Sequence, residues 1–140
     1  MLINDIQDEI IEEFSSFDDW MDRYSLLIEY GNGLEPLPDA DRIDANLIDG
    51  CQSKVWFTAE IRDGKVIYHG DSDAILVKGI VALLIRVLSE QTPNEIVNTQ
   101  LYFIDEIQLR EHLSPTRSNG LNAMLRKMIE YALHLTNSTN

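Results

Sequence analysis

The chain lacks most of what would announce a chemistry. Its 140 residues hold one cysteine, Cys51, and three histidines, His69, His112 and His134. A single cysteine cannot form an internal disulfide, which fits a reducing compartment. A structural zinc site takes about four Cys and His ligands at close spacing, and these four are scattered, so metal is disfavoured. No apolar run reaches the roughly 18 residues needed to span a bilayer. The opening MLINDIQDEIIEE is acidic and has no basic region before an apolar stretch, unlike a signal peptide. The reading is a cytoplasmic protein with no membrane partner. Phosphate cradles of the GxxxxGK[ST] or GxGxxG type are missing, as is a GxSxG nucleophile elbow. The paired glycines of YGNGLEP sit among acids that would repel phosphate, and read as a helix end and loop. Basic residues are scarce: 11 Lys and Arg face 24 Asp and Glu, a net charge of −13. Nucleic-acid binders neutralise phosphates with clustered cations, and no such cluster exists, so no nucleic acid is expected. The acid surplus keeps the chain soluble or steers it to a partner's basic patch, and the two are compatible.

What is present reads as one domain over residues 1–140, with an ordinary globular balance of 44% hydrophobic and 25% charged residues. Ile3, Ile6, Ile10 and Phe14 recur at helical spacing and predict a first amphipathic helix. SFDDWMDRYSLLIEYGNG predicts a second, with Ser16 and Asp19 as a variant capping box and Phe17, Trp20, Met21, Tyr24, Leu27 and Ile28 facing inward. Residues 34–46 carry Pro36, Pro38, Asp39, Asp41 and Asp44, which predict an exposed loop. From Lys54 the period changes to two. KVWFTAEI, the turn Asp63-Gly64 and KVIYHG predict a β-hairpin, with a weak third strand near 46–48. DSDAILVKGIVALLIRVLSEQ is apolar on nearly every side and predicts the central buried helix, with its acids as caps. Thr92-Pro93-Asn94-Glu95 predicts a capped short helix, residues 101–112 another, and Leu121, Met124, Leu125, Met128, Ile129 and Ala132 a terminal one ending in the polar tail TNSTN. The sum is an α+β fold: a small antiparallel sheet packed against several helices.

Cys51 stands out by position. It follows Gly50 at a turn ahead of the first strand, where glycine supplies backbone freedom and the side chain projects from a loop tip. A thiol there is either a small packed hydrophobe or a functional group, and composition leaves both open. Asp44 and Asp49 would raise its pKa, whereas Arg42, Lys54 and Arg117 would lower it.

The segments LPDADRIDANLIDGCQSKVW, GDSDAILVKGIVALL and HLSPTRSNGLNAM, with Trp20 and Tyr24 as an aromatic pair, stand in an order and spacing that resemble the SufE family of sulfur acceptors. Lys54 is the main departure, a cation where a neutral glutamine is expected in some relatives. The resemblance implies the SufE/IscU-like α+β fold, no cofactor of the chain's own, and a role in iron–sulfur cluster assembly. Its partners would be a SufS-like cysteine desulfurase, which carries pyridoxal phosphate, and a downstream scaffold complex. Cys51 would be the acceptor, taking sulfur as a persulfide and stimulating the desulfurase. The resemblance further implies a sheltered cysteine on a mobile loop, with Gly50, Gln52, Asp73 and Arg117 as loop and partner contacts. On the residues alone, helix capping is the ordinary explanation of Asp71-Ser72-Asp73, and core packing that of Met124 and Met128. Three classes of function compete: a sulfur carrier for this or a related desulfurase, a thiol redox protein, and an acidic adaptor in which Cys51 is incidental. A redox thiol usually has a resolving partner, and none exists here.

Overall fold

The computed structural model describes residues 2–138, with side chains as far as Leu135; the polar tail side chains, residues 136–140, lie outside the described part. Helix α1 (Ile3–Ser15) buries Ile3, Ile6, Ile10 and Phe14, the face set by the sequence period. Helix α2 (Trp20–Asn32) is capped by Asp19, whose carboxylate accepts from the Met21 N–H at 2.9 Å. The expected Ser16 cap is not formed. Ser16 still has helical backbone angles and closes α1, whereas Asp19 has the extended backbone that a cap requires. The inward stripe of α2 is also narrower than its period suggested. Leu27 is fully buried, Phe17, Trp20, Tyr24 and Ile28 are half-buried, and Met21 is 70% exposed, because nothing packs over that side of the first turn.

Helix α3 (Ile75–Leu88) is the central element, burying Val77, Ile80, Val81, Leu83, Leu84, Val87 and Leu88. It meets α2 at a backbone contact. A Cβ on Gly79 would lie 2.1 Å from the Leu27 carbonyl oxygen, and one on Gly31 would lie 2.9 Å from the Gly79 nitrogen. Only glycines allow this approach. The acids before α3 do not cap it: its N-cap is Ala74, without a side-chain bond, and strand β2 runs on through Ser72.

The hairpin is as the alternation predicts. β1 (Val55–Arg62) and β2 (Lys65–Ser72) pair antiparallel from Val55 opposite Ser72 to Arg62 opposite Lys65. Asp63 and Gly64 both have positive φ, 53° and 78°, the geometry that two-residue hairpin turns favour. The weak third strand is reduced to one bridge, Leu47 to Trp56, with the Ile48 N–H donating to the Val55 carbonyl at 2.9 Å. The 3₁₀ turn at Asp44–Asn46 immediately before it leaves no extended run to pair.

Thr92 and Glu95 form the full capping box of α4 (Pro93–Asn98). The helix expected over 101–112 is broken into α5 (Phe103–Glu106) and a 3₁₀ turn at Arg110–His112, because Gln108 between them adopts φ 59°. Helix α6 (Pro115–Ser138) lays Leu121, Met124, Met128 and Ala132 into the same core. The architecture is α+β, a two-stranded sheet among helices. No helix among the described residues is long and apolar enough to cross a membrane.

Candidate functional site

The site is assembled from the loop before β1 and the first turns of α6 and α3. The loop is exposed over most of its length, but Leu37 and Ile48 are buried and fasten it at both ends. Gly50 has φ 93°, a conformation L side chains rarely adopt, and turns the chain so that Cys51 faces α6. The Cys51 thiol lies 3.6 Å from the Gly120 carbonyl oxygen, within reach of a weak S–H···O bond. A Cβ on Gly120 would stand 3.4 Å from the sulfur, an ordinary contact distance, so the thiol sits directly against the helix backbone.

Cys51 lines a cavity of about 310 Å³ together with Gln52, Ser53, Val77, Ile80, Thr116, Arg117, Gly120 and Met124. Val77, Ile80 and Met124 supply an apolar floor. The thiol itself is only half-buried. Burial pushes it above its ordinary pKa, which favours the resting thiol over the thiolate. Of the cations expected to lower that value, Arg117 lines the cavity, while Lys54 is exposed and Arg42 is engaged elsewhere; burial remains the cause of the shift. Arg42 pairs with Asp71 and lies over the Trp56 ring at 5.7 Å, and the exposed Arg117 makes no ion pair among the described residues.

Of the other residues that the resemblance implies, Gln52 lines the cavity and Asp73 lies outside its lining. Gln52 is exposed at the cavity mouth. Asp73 accepts from the Lys54 N–H at 3.0 Å, so it binds the segment that carries Cys51 instead of capping α3. Ser114 caps α6, its hydroxyl oxygen accepting from the Arg117 N–H at 3.3 Å. Trp20 stacks on His112 with ring centroids 3.8 Å apart, and the Tyr24 hydroxyl donates to the His112 carbonyl. The pair thus steadies the turn that feeds α6, and His112 is packed against Trp20.

Gly120, Thr116, Val77 and Ile80 were not singled out by sequence reasoning. Gly120 alone carries a local signal, since glycine within a helix costs about 0.5–1 kcal/mol relative to alanine and so hints at a close neighbour. Met124, assigned to core packing, is buried and also forms part of the cavity wall. Among the described residues no group of His, Cys, Asp and Glu is placed to hold a metal ion.

Fold and site define a small α+β domain that presents one sheltered thiol at a loop tip. Residues 8–132 match the family model SufE, the Fe–S metabolism associated domain, and the chain belongs to that family. It is 46% identical over 120 residues to an uncharacterized SufE-like protein of Synechocystis sp., an alignment covering 86% of this chain and 76% of the relative. The solution structure of a hypothetical protein from Thermus thermophilus superposes with a TM-score of 0.78 at 23% identity. That match covers 94% of this chain and 96% of the other, and shows the fold.

Proposed function

We propose that the chain is a single-domain, cytoplasmic sulfur acceptor that takes sulfur onto Cys51 from a SufS-like, pyridoxal-phosphate-containing cysteine desulfurase. It stimulates that enzyme and passes the sulfur to an iron–sulfur scaffold complex. The observation that carries this reading is the solitary thiol seated over a cavity, in a chain of a family associated with iron–sulfur metabolism. The Cys51 thiolate attacks the terminal sulfur of the donor's persulfide. The donor's S–S bond breaks, its cysteine leaves as a thiolate, and a persulfide forms on Cys51. No second cysteine is present to displace that sulfur as sulfide through an internal disulfide. The chain is a sulfur-transfer protein and not a stand-alone enzyme.

The cavity supports the transfer by receiving the added sulfur beside Val77, Ile80 and Met124, away from bulk water. Gly50 permits the turn, Gln52 and Arg117 meet the partner at the rim, and Asp73 holds the segment beyond the cysteine. Burial raises the pKa of the resting thiol, and a loop drawn outward on docking would solvate the thiolate better.

The test is intact-mass measurement after incubation with the desulfurase and free cysteine. A gain of sulfur on the wild type, lost in Cys51→Ser, is the expected result. Unchanged mass with desulfurase turnover stimulated equally by both forms overturns sulfur transfer and leaves an adaptor.

A further inference from the structure

Asp71, Ser72 and Asp73 are consecutive, yet none caps α3. Asp71 is an ionic residue only 1% exposed, in a chain with ample solvent-facing sites for acids. One carboxylate oxygen accepts from the Leu37 N–H at 3.2 Å and pairs with Arg42, both residues of the loop that leads to the cysteine. The other accepts from the Ser72 N–H at 2.8 Å and faces the Lys78 ammonium at 3.5 Å. Burial by itself would raise the Asp71 pKa, but these amides and cations outweigh it and keep the carboxylate ionised below its usual range.

Ser72 and Asp73 grip the other end of the same segment. The Ser72 hydroxyl donates to the Lys54 carbonyl at 2.8 Å, and its oxygen accepts from the Ala74 N–H at 3.2 Å. The Asp73 N–H also donates to the Lys54 carbonyl, at 3.2 Å, while its carboxylate accepts from the Lys54 N–H. Both groups of one peptide residue, three positions beyond Cys51, are therefore held by the same short stretch. The cysteine segment leaves this stretch at Leu37 and returns to it at Lys54.

We propose that Asp71 and Ser72 are positioning residues. With Asp73 they form a clamp that pins both ends of residues 37–54, so that only the tip around Cys51 moves. The clamp sets the resting balance between the seated thiol and the open loop. This gives the acceptor role proposed above a built-in limit on thiol exposure, and rests on that reading for its purpose. Its physical content, control of Cys51 accessibility, is measurable without any sulfur donor.

The experiment is the rate and pH profile of Cys51 alkylation by iodoacetamide in the isolated full chain, with thermal unfolding followed in parallel. Ser72→Ala removes one of the three bonds that hold Lys54, and Asp71→Asn weakens the grip on Leu37 and Arg42. Each is expected to raise the alkylation rate about three- to tenfold, the scale of one lost hydrogen bond on a local opening equilibrium. The pH midpoint should fall towards that of a free thiol, and Ser72→Thr, which keeps the hydroxyl, should restore the wild-type rate. Thr92→Ala removes the α4 cap near the opposite end of the hairpin and serves as the control; it should leave rate and midpoint unchanged. A folded Ser72→Ala with unaltered rate and midpoint overturns the clamp, whatever Asp71→Asn does to folding. So does a Thr92→Ala rate that rises equally, since general loosening then explains the effect. Failure of sulfur uptake from a desulfurase would overturn the acceptor role and leave these alkylation results intact.

Discussion

Two close approaches in this molecule both involve a glycine, and they differ in slack. Where α2 crosses α3, a Cβ on Gly79 would fall 2.1 Å from a backbone carbonyl oxygen, so the helices are locked at a distance no other residue permits. Where the cysteine loop meets α6, a Cβ on Gly120 would fall 3.4 Å from the Cys51 sulfur, an ordinary contact. The first joint is backbone against backbone inside an apolar core. The second is a side chain against a helix, beside a cavity and held by a few polar bonds. A frame of the first kind resists change, and a seat of the second kind can release its occupant at low cost. The proposed sulfur transfer would draw on both.

One substitution, glycine to alanine, breaks this comparison at three points. Gly79→Ala is expected to have the largest effect. Neither helix backbone can move aside locally, so the loss should be about 3 kcal/mol, at the upper end for overpacking. Thermal denaturation would then show a fall of roughly 10 °C. A shift below a few degrees would mean that the helix pair is not locked. Gly50→Ala should be intermediate. A positive φ costs a non-glycine residue about 1 kcal/mol or more, and relieving it means redirecting Cys51. Its mark is a Cys51 alkylation rate that changes while the melting temperature falls only modestly. Gly120→Ala should be the mildest, with alanine contributing about 0.5–1 kcal/mol to helix stability and the added methyl slowing reagent access to the sulfur. A strongly destabilised Gly120→Ala would show that the seat is as tight as the frame.

The smallest effect lies in the alkaline range. Burial raises the Cys51 pKa in the folded chain, so the folded state holds its proton more tightly than the unfolded state. The resulting stabilisation is complete below the ordinary thiol pKa of about 8.5 and is lost as pH rises through the folded value. Cys51→Ser should abolish this dependence, and comparing the two melting temperatures across that range checks it. Identical slopes would mean that the resting thiol is solvated. At the acid end the sign reverses for Asp71, whose carboxylate is held below its usual range by its hydrogen bonds and cations despite burial. Its stabilisation is present above the ordinary carboxylate pKa and is lost as pH falls through the folded value. Asp71→Asn should flatten that acid limb of the stability curve.

Legibility followed the range of the interactions. The hairpin could be read because Asp63-Gly64 and the alternation around it act between neighbours, and the α4 cap because Thr92 and Glu95 are three residues apart. Motifs with a choice of partner were misread. Asp71-Ser72-Asp73 has the composition of a helix cap, but β2 extends through Ser72 and turns these side chains to a loop far earlier in the chain. Ser16 looked like the cap of α2 until the end of α1 took it up. The run 101–112 has helical composition and is broken by the left-handed backbone at Gln108, which no residue type there announces. At the site, the family resemblance pointed to Cys51, but the Gly120 contact crosses 69 positions and leaves no local pattern.

By itself the sequence determined the elements whose forces are local: the amphipathic period of α1, the greasy run of α3, the two-residue hairpin turn, and the solitary cysteine after a flexible glycine. Only the tertiary structure decided what surrounds that cysteine. Its seat on Gly120, the cavity floor of Val77, Ile80 and Met124, and the grip on Leu37 and Lys54 all join distant segments. The reason is physical. Periodicity and turn chemistry act between residues close along the chain, whereas burial, a thiol's pKa and the cost of opening a loop depend on whatever the fold brings alongside.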